Sequence, residues 1–388
     1  MKITAIENFL VDSGGRGPWL FCAIRTDAGI TGYGEYGQGA LYRGLPALIE
    51  DMSRSLIGTD PLPVDKIYMD MYRHRRAETG GATAMAMAGI ELALWDIKGK
   101  YHGVPVYSLV GGPFRTKQRV YWSHLATYRA RGAEKMGVPP LRTMDDLADC
   151  AREAVDAGYT AFKTNIIFPG EKPSMINNMF SGSNDQNAPT DLVRHTKTQI
   201  GAMREAVGPD IDILLDINYN FKTEGAIAIG RALEEYELYW MEIDNQDPDA
   251  LLQLKMQQRT PITTGEQLLG LRQYQPYFRK HAMDTVKVDV QWQGFSQAKK
   301  VAELAEVYEM NIAPHNYNSH LSSFQSLNLT AAVSNVRIME SDVDSAPWRD
   351  EITTNSPEIK DGYMTIPTAP GWGTELDEAA AKKYEFKG

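Results

Sequence analysis

Six short apolar runs in the second half of the chain each stop at a residue able to do acid–base or metal chemistry. Residues 212–215 stop at Asp216, 238–241 at Glu242, 261–265 at Glu266, 285–288 at Asp289, 311–314 at His315 and 336–339 at Glu340. Three of these ends in a row are carboxylates: Asp216, Glu242 and Glu266. Brought to one point and left unpaired, they would repel one another and disfavour their own charge. A hard divalent cation relieves that repulsion, and an all-oxygen ligand set favours Mg2+ and leaves positions for substrate oxygens. The next two ends, Asp289 and His315, have the types and order of a carboxylate that orients an imidazole general base. His320, five residues further on in Asn316-Tyr317-Asn318-Ser319-His320, is the competing histidine. His74, His102, His124, His195 and His281 have no comparable setting and read as surface or capping residues. Lys163 and Asn165 lie two apart on another strand-like run, so both point to one side. A lysine there would neutralise a substrate carboxylate, or act as a base if its pKa were depressed.

The positioning elements follow from the spacing. The steps between the six ends are 26, 24, 23, 26 and 25 residues, each enough for one strand, one helix and two short loops. Residues 118–123 and 160–165 supply two earlier strands, and residues 143–157 an amphipathic helix with Thr143 as N-cap and Gly158 as stop. Eight βα repeats predict a modified (β/α)8 TIM barrel over residues 116–365, an α/β fold whose site lies at the C-terminal strand ends. Residues 1–115 read differently: three strands, then helices, an α+β capping domain. Residues 366–388 form a segment expected to pack back on the cap. Residues 167–190, which include Met175, Met179 and Phe180, interrupt the regular step as a long loop on the site face, read as a lid or subunit contact.

With 388 residues, a formal net charge of -10 and 43% hydrophobic residues, the chain reads as a globular protein without the basic face that nucleic acid requires. Its most apolar window, residues 82–95, is too short to span a bilayer. The two cysteines, Cys22 and Cys150, form no framework, and a reducing, cytoplasmic setting is the simplest reading. Gly32-Tyr33-Gly34-Glu35-Tyr36-Gly37 spells GxGxxG, but the strand before it reads as a hairpin partner, so dinucleotide binding is set aside.

The chain resembles the enolase superfamily, in its mandelate racemase branch. The likeness is carried by Gly89-Ile90-Glu91-Leu92-Ala93-Leu94-Trp95-Asp96, by Gly103-Val104-Pro105 with Leu109-Val110-Gly111-Gly112, and by Pro370-Gly371-Trp372-Gly373. The resemblance implies one Mg2+ held by Asp216, Glu242 and Glu266, a His315–Asp289 dyad, and Glu340 donating a hydrogen bond to the substrate carboxylate. It also implies a homo-oligomer. The branch's racemases carry Lys-x-Lys where this chain has Lys163-Thr164-Asn165, a pattern similar to the galactonate dehydratases. Those enzymes also carry a third-strand histidine that protonates the leaving hydroxide, and Asn218 holds that position here. The acid is therefore open among His315 itself, Tyr219, His320 and the long loop.

The expected activity is Mg2+-dependent dehydration of an acid sugar, an aldonate or aldarate, to a 2-keto-3-deoxy acid through an ene-diolate. An epimerase, racemase or cycloisomerase using the same intermediate is the alternative enzyme, and a metal-binding sugar-acid sensor the alternative outside catalysis. Asn165, Asn218, His320, Arg16 and Trp19 are the expected substrate contacts, with Tyr36 and Arg43 in the next loop.

Overall fold

The computed structural model describes residues 1–15, 17–78, 80–176 and 185–388, the side chain of Lys135 excepted. The chain begins with an antiparallel meander of β1 (Ile3–Asp12), β2 (Pro18–Thr26) and β3 (Thr31–Glu35). Three helices cover it, α1 (Gly44–Ser53), α2 (Val64–His74) and α3 (Gly81–His102). Every residue of α3 from Thr83 to Ile97 is buried, which is why its sequence is apolar on all sides. The helix stops at Gly103, whose φ of +68° forms the left-handed cap. The glycines of the GxGxxG run serve this packing. A Cβ on Gly34 would lie 2.6 Å from the Gly89 carbonyl oxygen of α3, and β3 pairs antiparallel with β2 rather than entering a βαβ unit.

The barrel opens with β4 (Lys117–Ser123), the short α4 (Arg129–Met136) and α5 (Met144–Asp156). Thr143 and Asp146 cap α5 reciprocally. Next come β5 (Ala161–Thr164), a hairpin of β6 (Ile167–Phe168) and β7 (Ser174–Met175), and α6 (Thr190–Val207). Strand and helix then alternate through β8 (Asp212–Asp216), α7 (Thr223–Leu233), β9 (Trp240–Glu242), α8 (Pro248–Gln257), β10 (Ile262–Thr264) and α9 (Leu271–Lys280). The last repeats are β11 (Thr285–Asp289), α10 (Val290–Gln293) with α11 (Phe295–Val307), β12 (Asn311–His315), α12 (His320–Ala332) and β13 (Met339–Asp342). Neighbouring strands pair in parallel from β4 to β12, and β13 pairs in parallel with β4. An Ile312–Val336 bridge joins the approach to β13 with β12 and closes the ring. Beyond β13 the alternation is replaced by a hairpin of β14 (Ile359–Lys360) and β15 (Tyr363–Thr365), the latter antiparallel to the start of β4, and by α13 (Glu378–Lys383), which packs on β1. Among the described residues no helix is long and apolar enough to cross a membrane.

The inner wall is layered by the two-residue period of strands. Tyr121, Ala161, Leu214, Trp240, Ala313 and Ile338 form a separate buried cluster inside the ring. Two residues further along the same strands stand Ser123, Lys163, Asp216, Glu242, His315 and Glu340, so the polar layer rests on an apolar floor.

Cap and barrel are joined by buried carboxylates. Glu91 of α3 accepts hydrogen bonds from the Phe295 and Ser296 amides at 2.9 and 2.8 Å, supplying the first turn of α11 with a cap it lacks. Glu35, at the end of β3, accepts from the Ser319 and Ser322 amides at the start of α12, both at 2.9 Å, beside the cap that the Ser319 side chain already gives that helix. Asp96 accepts from the Tyr33 and Trp372 amides at 2.9 and 3.0 Å, tying the C-terminal segment to the cap.

Candidate active site

The adjacent register of β11 and β12 sets Asp289 beside His315. Asp289 Oδ2 lies 2.6 Å from His315 Nδ1, and its Oδ1 accepts from the Trp292 amide at 2.7 Å as the cap of α10. With Nδ1 committed, Nε2 is the nitrogen left for a substrate, and Glu266 Oε2 lies 3.4 Å from it. This is the geometry of an imidazole fixed in one orientation by a buried carboxylate.

Opposite the dyad, two lysines and two carboxylates interlock below the rim. Lys163 Nζ lies 2.9 Å from both Glu242 Oε1 and Glu340 Oε1, and 3.6 Å from Asp216 Oδ2. Lys287 Nζ lies 2.8 Å from Glu340 Oε2 and 2.8 Å from the Tyr121 hydroxyl. Burial opposes the charge of Lys163, but Glu242 and Glu340 outweigh it and hold the ammonium well above its ordinary pKa. It stands here as a cation, the state in which a lysine at this position would neutralise a substrate carboxylate rather than act as a base. Glu340 is also set differently from its expected role. Burial works against its charge, yet Lys163 and Lys287 hold the carboxyl far below its usual range. An ionised Glu340 that also accepts from the Ser123 hydroxyl and the Asn316 amide has no proton to donate.

Above this layer a cavity of about 340 Å³ opens at the strand ends, lined by Lys163, Asn165, Asp216, Asn218, Asp244, Glu266 and His315, among others. Asn165 and Asn218 reach it as expected from their strands. Asn165 Nδ2 donates to the Asp216 carbonyl at 2.8 Å, and the Asn218 amide donates to Asp216 Oδ1 at 2.8 Å, so both orient the first metal candidate. A second cavity of about 480 Å³ adjoins the first, sharing Tyr128 and Arg131 in its wall. From the long loop, Met175 enters the lining, while residues 177–184, including Met179 and Phe180, lie outside the described residues.

Trp19, Tyr36 and His320, expected as substrate contacts, are not brought together with this group. Arg16 lies outside the described residues. Trp19 is buried within β2, in the core of the cap, at 4% exposure, because the strand begins before it rather than after. Tyr36 is likewise buried, its hydroxyl donating to Asn8 at 2.7 Å. Gln38, two residues on, is the cap residue of that loop that lines the cavity. His320 starts α12 and turns away from the cavity, with Nε2 at 2.6 Å from Asp350. Burial and the nearby Arg349 push its pKa down to about 4. The unfolded chain then binds more protons between pH 6.5 and 4, so this residue costs stability as the pH falls through that window. His320→Gln is expected to flatten the acid limb of a urea-melt stability profile by up to about 3 kcal/mol between those pH values.

Three residues of the site were not singled out from the sequence. Asp244 lies two residues past Glu242, and its carboxyl is pushed well up by burial, then by Asp216 and Glu242. Lys287 is an inward residue of β11, two before Asp289. His124, read as a surface or capping residue, lines the cavity immediately after β4; the rule that found His315, a strand that stops at a histidine, also fits it.

The carboxylates suit a cation. Burial pushes the Asp216 carboxyl up to about 6, Lys163 opposing and Glu242 adding. Burial, then Asp244 and Glu242, drive Glu266 well above its ordinary range. Glu242, held low by Lys163 and Lys287 against its burial, keeps one buried oxygen, Oε2, without a hydrogen-bond partner. An orphaned carboxylate oxygen beside neighbours that resist ionisation is the environment a hard cation would satisfy. No three His, Cys, Asp or Glu side chains among the described residues already form a closed metal cluster.

A capped barrel with a His–Asp pair facing strand-end carboxylates is the scaffold of enzymes that remove a proton next to a carboxylate. The chain belongs to the enolase superfamily, in its mandelate racemase branch. Residues 10–111 match the family model of the mandelate racemase / muconate lactonizing enzyme N-terminal domain, and residues 146–380 that of the enolase C-terminal domain-like family. The chain is 29% identical to a D-xylonate dehydratase of Haloferax volcanii, over 100% of this chain and 90% of that protein. It is 28% identical to a D-galactarolactone cycloisomerase of Agrobacterium fabrum, over 100% of this chain and 99% of the relative. A candidate L-alanine-DL-glutamate epimerase of Burkholderia xenovorans, solved with magnesium and fumarate, superposes with a TM-score of 0.95 at 35% identity, covering 99% of this chain and 96% of its own.

Proposed function

We propose that this protein dehydrates an acid sugar, an aldonate or aldarate, to a 2-keto-3-deoxy acid. The observation that carries this reading is the single base. His315 is oriented by Asp289, whereas Lys163 is held as a cation by Glu242 and Glu340, so this lysine does not supply the second base that racemisation requires. Likeness to the D-xylonate dehydratase over the whole chain supports the same reaction class.

In this reading, Asp216, Glu242 and Glu266, with Asp244 beside them, would hold Mg2+, which supplies a fixed positive charge against the substrate carboxylate. Lys163 adds a second charge to that carboxylate. His315 Nε2 removes the proton from the adjacent carbon, and Asp289 stabilises the imidazolium that forms. Lys163 then holds the ene-diolate, a pre-placed charge of the kind that contributes most to such reactions. Loss of the β-hydroxyl leaves an enol, which becomes the ketone. The Trp292 ring lies edge-on 5.1 Å from His315 and packs against the base.

The test is a panel of aldonates and aldarates, incubated with the protein and Mg2+ and scored for semicarbazide-reactive keto acid. A keto product from one or more members is the expected result. A change in optical rotation without keto product would replace this reading by epimerisation or cycloisomerisation, the activity named for the Agrobacterium relative.

A further inference from the structure

Dehydration needs a proton for the departing hydroxyl as well as a base, and the geometry points to His124 as that acid, resting on the dehydratase reading above. His124 follows the last residue of β4 and is held at a φ of +53°. That is a left-handed conformation, uncommon outside Gly but one that His, like Asn and Asp, adopts more readily than most residues. The turn brings its ring into the same cavity as His315. Tyr317 stands between the two imidazoles, its ring 5.0 Å from His315 and 6.1 Å from His124. Tyr128 stacks on His124 from the other side at 4.5 Å. Two histidines thus face one cavity from different strand ends, one aromatic ring apart.

The hydrogen bonds of His124 fix which nitrogen serves. Ser123 Oγ bonds both Glu340 Oε1 and, at 2.9 Å, His124 Nδ1. Because Glu340 is ionised, the one hydroxyl proton of Ser123 must go to it, so Nδ1–H of His124 donates to the serine oxygen. Nε2 is then the nitrogen placed to carry and deliver a proton. The other candidates fit less well. Asn218 has no acidic proton, His320 lies outside the cavity on Asp350, and Lys163 is bound by carboxylates. Tyr219 also lines the cavity, but nearly half of it is exposed to solvent.

The step balances without a further reactant. His315 takes the proton from the carbon next to the carboxylate. The bond from the neighbouring carbon to its hydroxyl breaks as His124 Nε2 gives that oxygen a proton, and water leaves. The enol then loses its hydroxyl proton to His124 while His315 returns its proton to the carbon that lost the hydroxyl, giving the ketone and both histidines in their starting states.

The test uses His124→Asn, chosen because asparagine tolerates the left-handed conformation. Three rates are compared with wild type on the panel member that turns over: keto-acid formation, solvent-deuterium exchange at the carbon next to the carboxylate, and fluoride release from the 3-deoxy-3-fluoro analogue. Fluoride leaves without a donated proton. The expected result is keto-acid formation down about 10²–10⁴-fold, with exchange and fluoride release kept to within about tenfold. Equal slowing of hydroxyl and fluoride elimination would overturn the proposal in favour of a merely structural role, as would a keto-acid rate near wild type. Should His124→Asn fail to fold by circular dichroism, His124→Gln is read by the same ratio of fluoride to keto-acid rates. Wild type that forms no keto acid from any member would instead remove the dehydratase reading itself, an outcome distinct from either result on the variant.

Discussion

His315→Asn is expected to lower turnover by about 10⁴-fold, the upper end of what a general base contributes, and to abolish deuterium exchange next to the carboxylate as well. The size follows from the geometry. Nδ1 is locked to Asp289 at 2.6 Å, and the lysines in the polar layer among the described residues are neutralised by Glu242 and Glu340. Loss of exchange together with turnover separates this variant from His124→Asn, which would keep the exchange. Asp289→Asn should approach the same loss by a different route, since an amide turns the imidazole toward the wrong tautomer. A His315→Asn enzyme with turnover near wild type would assign proton abstraction to another group. Steady-state rates and a proton NMR exchange assay on one preparation decide it.

Removal of divalent cation by EDTA is expected to bring turnover to background, and added Mg2+ to restore it. The argument is electrostatic. Asp216, Asp244 and Glu266 all have raised carboxyl pKa values because burial and mutual repulsion disfavour their charge. A cation among them lets all ionise and gives the orphaned Glu242 Oε2 a partner. Binding should also appear without any substrate. Mg2+ at a hundred times its dissociation constant adds about 2.7 kcal/mol to folding stability, visible as a raised melting temperature, and Glu242→Gln should remove most of that gain. Full turnover after exhaustive chelation would sink the metal assignment, and so would a melting temperature indifferent to Mg2+.

Much of this architecture was readable before any coordinates. The eight barrel strands overlap the runs read from the sequence, six of them set by the repeating step, because a strand buried on both faces must be an unbroken apolar run; β13 alone is displaced, beginning at Met339 and running on past Glu340. Asp216, Glu242, Glu266, Asp289 and His315 were legible for the same reason. What escaped notice depends on local direction. Asp244 and Lys287 each lie two residues from a noticed acid, facing the same side, and were masked by the brighter neighbour. His124 depends on one left-handed turn after β4 that no periodicity reports. Trp19 and His320 were misplaced because a loop's composition does not say which way its side chains turn; the start of β2 buries one and the first turn of α12 removes the other. The charge of Glu340 is set by Lys163 and by Lys287, the latter on a strand that had been read only for its terminal Asp289.

The carboxylates that join cap to barrel bear on how such chains can diverge. Glu35 and Glu91 come from the cap, yet the amides they satisfy belong to the first turns of α12 and α11, the helices flanking the strand that carries His315. A foreign cap grafted onto this barrel would remove the carboxylate acceptors from those amides unless it brought acids at both positions. Changes confined to Gln38, Tyr128 or Arg131, which line the cavity, would leave those contacts in place. A chimera made by domain exchange should need both acids restored before it folds as one cooperative unit.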